Sequence, residues 1–371
     1  MIYLDNAATT PLTPSVIDAM TEIMENDFGN PSSIHGIGRR ANQRLRSARQ
    51  TIASALKTDP RRIIFTSGAT ESNNTAIKGY ALANQAKGKH IITTSIEHHS
   101  VLLTMEYLEK RFGFEVTYLK PENNQITAKQ VADALRDDTT LVSTMFANNE
   151  TGDILPVKEI GELLQNHQAA FHVDAVQAIG KIDVFPEDIK ADFLSASAHK
   201  FHGPKGVGIL YSTPQHFDNL LHGGEQEDKR RASTENMIGI VGMTQALSDA
   251  VANKDKNFKH VEELNQAFLN GISGLDYYIN GNENKMPHVL NIGFPNQNNG
   301  MLLTRLDLEG IAVSTGSACT AGTVDPSHVL SSLYGDDSHR LTESIRVSFS
   351  ELNTIEEVQE LAQKLKEIVG N

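Results

Sequence analysis

The chain reads as an α/β protein built on a mostly parallel sheet, with a smaller α+β unit following it. Three observations carry that expectation. From residue 60 to about 215, short apolar runs alternate with stretches of helical spacing. Beyond about residue 255 the alternation gives way to a mixed pattern. At 371 residues the chain also exceeds one ordinary domain. The strand-like runs are Ile63 to Phe65, His90 to Thr93, Val116 to Leu119, Leu141 to Met145, Phe171 to Val173, Phe193 to Ser195 and Val207 to Tyr211. Near-continuous apolar runs suit strands covered by helices on both faces. Residues 235 to 271 lack proline and hold Met237, Ile240, Val241, Met243, Ala246 and Leu247 at helical spacing, which predicts long helices. Strands are expected near Val289 to Phe294 and Ile345 to Phe349, then an amphipathic helix from Ile355 to Val369. The expected division is a large domain over residues 15–255 and a small one formed by residues 1–14 with 256–371.

Composition narrows the function. The fractions of apolar and charged residues are those of a soluble globular protein. No run of about 18 apolar residues exists, so no membrane span is expected. The N-terminus carries Asp5 and lacks a basic-then-apolar leader, which points to the cytoplasm. A net charge of −13, with no basic stripe to offset it, argues against direct binding of nucleic acid. The one cysteine, Cys319, cannot form an internal disulfide and is left as a free thiol.

Chemistry concentrates in three segments. ADFLSASAHKFHGPKGVGILYS, residues 191–212, sets Lys200 in a polar turn with Ser195, Ser197 and His199, closed by Gly203 and Pro204. A lysine so placed can be desolvated into a nucleophilic amine that holds a carbonyl cofactor as a Schiff base. Ser197 and His199 could donate to a phosphate. The competing reading is an ordinary solvated turn. FHVDAVQAIG, residues 171–180, ends an apolar strand in Asp174 and continues to Gln177. A carboxylate at a strand end in an open α/β sheet lies where such folds bind ligands, and could face the ring nitrogen of pyridoxal phosphate (PLP). TSGATESNN, Thr66 to Asn74, puts small and hydroxyl residues between a strand and a helix starting near Thr70, a seat for a phosphate. Taken singly, Asp174 could cap a helix and SGAT could be a plain βα turn; the three in this order favour a cofactor site.

With these residues in view, the chain resembles the PLP-dependent cysteine desulfurases of the NifS and IscS type, in the class V aminotransferase superfamily. The resemblance rests on YLDNAATTP, FGNPSSIHGIG, TSGATESNN, IEHHSV, NNETG, HVDAVQ, SAHKFHGPKG and STGSACTAG, and runs from Tyr3 to about Phe349. It implies PLP-dependent transferase fold type I, with a seven-stranded, mostly parallel sheet in the large domain. It implies that Lys200 holds PLP and then serves as base and acid at the substrate Cα, that Asp174 keeps the ring nitrogen protonated and that Gln177 hydrogen-bonds the phenolic oxygen. By the same resemblance His98 stacks on the ring and takes the proton of the thiol. Spacing alone leaves its neighbour His99 as a rival, and a paired histidine could also be a metal site or a helix cap; no Cys or carboxylate cluster accompanies the pair, and no metal is expected. Asn149 matches a position near the cofactor oxygen and the substrate carboxylate. Thr70, Ser197 and His199 match phosphate ligands, assisted by the backbone of Ala69, and Arg346 matches the clamp on the substrate carboxylate.

Cys319 sits in STGSACTAG, a run of small residues suited to a mobile loop, although a lone cysteine can also be a buried apolar group. The resemblance implies that its thiolate takes the sulfur of L-cysteine as a persulfide, releases L-alanine and hands the sulfur to an acceptor. HGGEQEDKRRASTEN, His222 to Asn236, resembles a loop that lends a threonine to the neighbouring subunit of a homodimer, here Thr234. Glu225, Asp228 and Ser233 depart from that pattern. The chain ends at Asn371, soon after its last helix, whereas longer IscS-like relatives continue towards the iron–sulfur scaffold. The expected sulfur acceptor is therefore a tRNA-thiolating enzyme ahead of that scaffold. A selenocysteine lyase, another class V aminotransferase and a non-catalytic binding relative stand as alternatives.

Overall fold

A computed structural model describes residues 1–316 and 326–370. Among them, twelve strands are formed: β1 (Ile2–Tyr3), β2 (Ile63–Thr66), β3 (His90–Thr94), β4 (Glu115–Leu119), β5 (Thr139–Met145), β6 (Ala170–Asp174), β7 (Phe193–Ser197), β8 (Gly208–Ser212), β9 (Tyr278–Ile279), β10 (Val289–Gly293), β11 (Ile311–Ala312) and β12 (Ser344–Ser348). Seven of them make the central sheet in the order β2-β8-β7-β6-β5-β3-β4. The pairs from β4 to β7 are parallel, and β8 runs antiparallel to both β7 and β2. The reversal follows from connection length. Parallel neighbours need a crossover of a dozen or more residues, whereas ten residues join β7 to β8 and fold the chain back. Every residue of β2, β3, β5, β6, β7 and β8 is buried, as expected of strands covered on both faces.

The register places the chemistry. Met145 pairs with Asp174, and Asp174 with Ser195, so the carboxyl ends of β5, β6 and β7 lie side by side. Ligands of open α/β sheets bind outside these ends. The turn that carries Lys200 leaves from the end of β7.

A three-stranded antiparallel sheet, β12-β10-β9, and the parallel pair β1 and β11 complete the strands. The N-terminal segment joins them through a bridge from Asp5 to Ser348. Residues 237–271 form one continuous helix, Met237–Gly271, where more than one was expected. Its first half buries Met237, Ile240, Met243, Ala246 and Leu247 in the core of the large sheet. Its second half buries Val261, Leu264 and Phe268 in a separate cluster with β10, β12 and the last helix. Residue 255 thus lies inside a helix shared by two cores. The last helix, Ile355–Val369, starts with a capping box between Thr354 and Glu357 and buries Val358, Leu361, Leu365 and Ile368 along one stripe.

Candidate active site

The strand ends open on a cavity of about 540 Å³. Its wall brings together Ala69, Thr70, His98, Asn149, Asp174, Gln177, Ser197, His199, Lys200 and Arg346. Two expected residues are not among them. Thr234 is exposed on its loop and does not line the cavity of its own chain. Cys319 lies outside the described residues, although Gly316, three positions before it, lines the cavity.

Lys200 ends a short 3-10 turn, Ala198–Lys200, directly after β7. Its Nζ donates to the carbonyl oxygens of Ala7 at 2.6 Å and Ala8 at 2.7 Å. The N-terminal segment therefore lies across the turn. Thr10 ties the two together: its N–H and its hydroxyl both donate to the His199 carbonyl at 2.9 Å, and its Oγ1 accepts the His202 N–H at 2.8 Å. From behind, Lys181 Nζ donates to the Lys200 carbonyl at 2.8 Å. Burial, with Lys200 beside it, lowers the His199 imidazole to about 4. His199 is therefore neutral near pH 7.

Asp174 sits in a chain of donors. Its Oδ1 accepts the Val176 N–H at 3.1 Å, and its Oδ2 accepts from Asn73 Nδ2 at 2.8 Å. Asn73 Nδ2 also donates to Ser100 Oγ at 2.9 Å, and Ser100 reaches His98 Nδ1 through its hydroxyl at 2.8 Å and its N–H at 3.1 Å. His98 thereby caps the helix His99–Phe112. The geometry fixes the tautomer. A backbone N–H only donates, so Nδ1 is an acceptor and the proton of the neutral ring falls on Nε2. Burial lowers the His98 pKa and keeps the ring neutral. This resting tautomer offers a donor at Nε2, so the expected role of taking a thiol proton there does not follow from it. His99 turns elsewhere, against His328 with ring centres 4.7 Å apart.

At the other end of the cavity, Ala69 and Thr70 open the helix Ala69–Asn74, where backbone N–H groups lack intrahelical partners. Gly68 precedes them with φ +145°, and a Cβ on the neighbouring Gly208 would come within 2.7 Å of the Gly68 Cα, so glycine is needed at both. Glu71 accepts the Ser67 N–H at 2.7 Å and is paired with Arg231, whose Nε reaches it at 2.8 Å. The loop carrying Thr234 is thus fastened to this end of the site. A second pair, Arg49 with Glu227 at 2.6 Å, fastens the loop further. Two of the three departures noted in that loop take unusual backbone: Asp228 has φ +55° and Ser233 φ +102°.

Arg346, on β12, is 2 % exposed. Its Nη2 donates to Asp5 Oδ1 at 2.7 Å and its Nη1 to the Asn149 carbonyl at 2.9 Å. Its buried Nε has no partner among the described residues. An orphaned guanidinium donor at the edge of a cavity suits an anionic ligand.

The chain belongs to the class V aminotransferase family, whose model matches residues 2–361. It is 44% identical to the protein named cysteine desulfurase IscS of Dictyoglomus turgidum, over 99% of this chain and 96% of that one. Among solved structures, a NifS-like protein superposes with a TM-score of 0.93 at 38% identity, covering 100% of this chain and 99% of the other. A structure described as SspA in complex with cysteine gives a TM-score of 0.84 at 34% identity, covering 95% and 100%. The fold is fold type I, as the resemblance implied, and pyridoxal phosphate is the cofactor.

The residues present fit that group by their chemistry. A lysine amine, a carboxylate held by two donors, an imidazole and a cluster of hydroxyl and helix-start N–H donors share one wall. Several contributors escaped the reading of the sequence. Ala7 and Ala8 act through backbone oxygens, which leave no mark on residue type. Asn73 lies inside a quoted motif, and its spacing to Ser100 and Asp174 closes only in three dimensions. Asp5 was noted as a charge near the N-terminus and lies inside a quoted motif, but its partner lies 341 residues away.

Proposed function

We propose that the chain is a cysteine desulfurase, converting L-cysteine to L-alanine while the sulfur is carried off on Cys319. The observation that carries this reading is the convergence of Lys200, Asp174, His98 and Arg346 on one cavity, in a chain 44% identical to a cysteine desulfurase over nearly its full length. When bound, pyridoxal phosphate withdraws electrons from the substrate Cα. Lys200 would hold the cofactor, then move a proton at Cα. Asp174, fixed by Asn73 and the Val176 N–H, would face the ring nitrogen as a carboxylate. Thr70, Ser197 and neutral His199 would donate to the phosphate. Arg346, with its spare Nε, would bind the substrate carboxylate beside Asn149. Cys319 would take the substrate sulfur as a persulfide, a role supported by its family motif.

The wider setting belongs to the same reading. The exposed Thr234, outside its own cavity, fits a homodimer in which it reaches the partner's cofactor. No described helix is long and apolar enough to cross a membrane, and the lone thiol suits the cytoplasm. An acidic enzyme favours a basic acceptor, so a tRNA-thiolating enzyme is preferred to an iron–sulfur scaffold. Persulfide transfer that slows as salt rises supports that acceptor; salt-insensitive delivery to the scaffold alone counts against it.

Incubation of the cofactor-loaded protein with L-cysteine and a thiol acceptor tests the activity. Alanine and released sulfur should appear in equal amounts. A keto acid with the sulfur retained would mark an aminotransferase.

A further inference from the structure

Behind Lys200 lies a second cavity, of about 40 Å³, lined by Lys181, Lys200, His202, His288 and Glu351 among others. Gln177 lines the site and His288 lines the second cavity. The Gln177 side chain is 3 % exposed, and so is His288. Gln177 Nε2 donates to the Ala7 carbonyl at 3.2 Å, the same oxygen that accepts Lys200 Nζ. Gln177 Oε1 faces His288 Nε2 at 3.0 Å.

These contacts settle the amide. Turned over, it would set Oε1 against the Ala7 carbonyl, acceptor against acceptor. With the nitrogen on Ala7, Oε1 must receive a proton from His288. His288 therefore carries its hydrogen on Nε2 and presents a bare Nδ1, which is buried and has no partner among the described residues. The surroundings agree. Burial and the cations Lys181, Arg346 and Lys200 push the imidazole well below its usual value, with His202 and Glu351 on the same cavity.

We propose that His288 is a positioning residue: as the Nε2–H tautomer it locks the Gln177 amide with its nitrogen on the site side, so that the second N–H of that nitrogen serves the cofactor's phenolic oxygen. The inference rests on the reading of Gln177 as a cofactor contact. His288 itself touches neither cofactor nor substrate.

Two measurements test it. Nitrogen NMR of histidine-labelled, cofactor-free protein should show one buried imidazole protonated at Nε2 and unchanged between about pH 5 and pH 9; its signal is assigned by its loss in His288→Asn. An Nδ1–H tautomer, or an ordinary titration, overturns the proposal. The second is a pH titration of the visible band of the cofactor-loaded protein. A donor to the phenolic oxygen lowers the midpoint of that band, so Gln177→Leu and His288→Phe should both raise it. Cofactor affinity should weaken roughly tenfold in His288→Phe, the scale of one hydrogen bond, and recover partly in His288→Asn, which keeps a donor. A midpoint moved by Gln177→Leu but not by His288→Phe overturns the positioning role. A midpoint unmoved by either removes Gln177 from the cofactor's neighbours, and the inference falls with that reading.

Discussion

Arg346 Nη2 and Asp5 Oδ1 meet at 2.7 Å, joining the strand that carries the guanidinium to the segment that covers Lys200. The pair orients a buried cation whose remaining donor, Nε, is unpartnered among the described residues. Asp5 thus fixes the plane of the Arg346 fork, leaving Nε to donate to a substrate carboxylate. Lysine keeps the charge but loses the fork. Arg346→Lys should raise the KM for cysteine by roughly tenfold or more, with a smaller change in kcat. Equal losses in both would place the contact elsewhere.

Asn73 joins Asp174 to Ser100 and so to His98. Asn73→Ala should lower turnover by roughly ten- to a hundredfold, the scale of one charge-assisted hydrogen bond, while cofactor is retained. The visible band of the bound cofactor should also change its pH dependence, which a merely structural role would leave alone. Wild-type turnover in this variant would separate Asn73 from the chemistry.

Glu97 is buried, accepts the Thr94 hydroxyl at 2.6 Å and the Met145 N–H at 3.0 Å, and is pushed up to about 8 by burial. A carboxyl raised in the folded state stabilises the fold below its unfolded value near 4.5, and that contribution is lost as pH rises through about 8. The loss accrues between about pH 4.5 and 8 and is complete above that range. Glu97→Gln, which keeps the accepting oxygen, should equal the wild type in Tm near pH 4.5 and exceed it increasingly as pH rises towards 8. A wild-type Tm that holds through that range would contradict this.

His199, lowered to about 4, gives the opposite limb. Stability that depends on its neutral form is present above about 6.5 and is lost as pH falls towards 4. His199→Gln should weaken the acid limb of a pH–Tm profile and also loosen cofactor binding. A variant with the wild-type acid limb would show that other groups control it.

Much of this was legible in the sequence, for reasons that differ by element. The strands around Ile91, Val142, Phe171 and Leu194 declared themselves through apolar runs between helical stretches, because burial on both faces leaves no other pattern. Lys200 and Asp174 stood out because chemistry limits which residue types can do their work, whereas only the family motif told His98 from His99. The covering role of Ala7 and Ala8 did not, since a carbonyl acceptor is independent of side chain. Residues 237–271 read as helical, but nothing local shows that one helix serves two cores. His288 escaped for a further reason: its partner, Gln177, lies 111 positions away.

Cys319 belongs to the residues known here by motif alone. Cys319→Ser should still bind the cofactor and change its visible spectrum on adding cysteine, yet alanine production should fall by roughly a hundredfold or more, since a hydroxyl cannot take up sulfur. Undiminished alanine would assign the sulfur to another acceptor.

The central claim is that Lys200 holds the cofactor at the end of β7. Both Lys200 and Lys205 line the cavity, but only Lys200 has its amine seated under Ala7 and Ala8. Borohydride reduction of the cofactor-loaded protein, followed by tryptic mass spectrometry, separates them. The pyridoxyl group should be found on Lys200, and Lys200→Ala should lose both adduct and alanine production. An adduct on Lys205 with none on Lys200 would contradict the account.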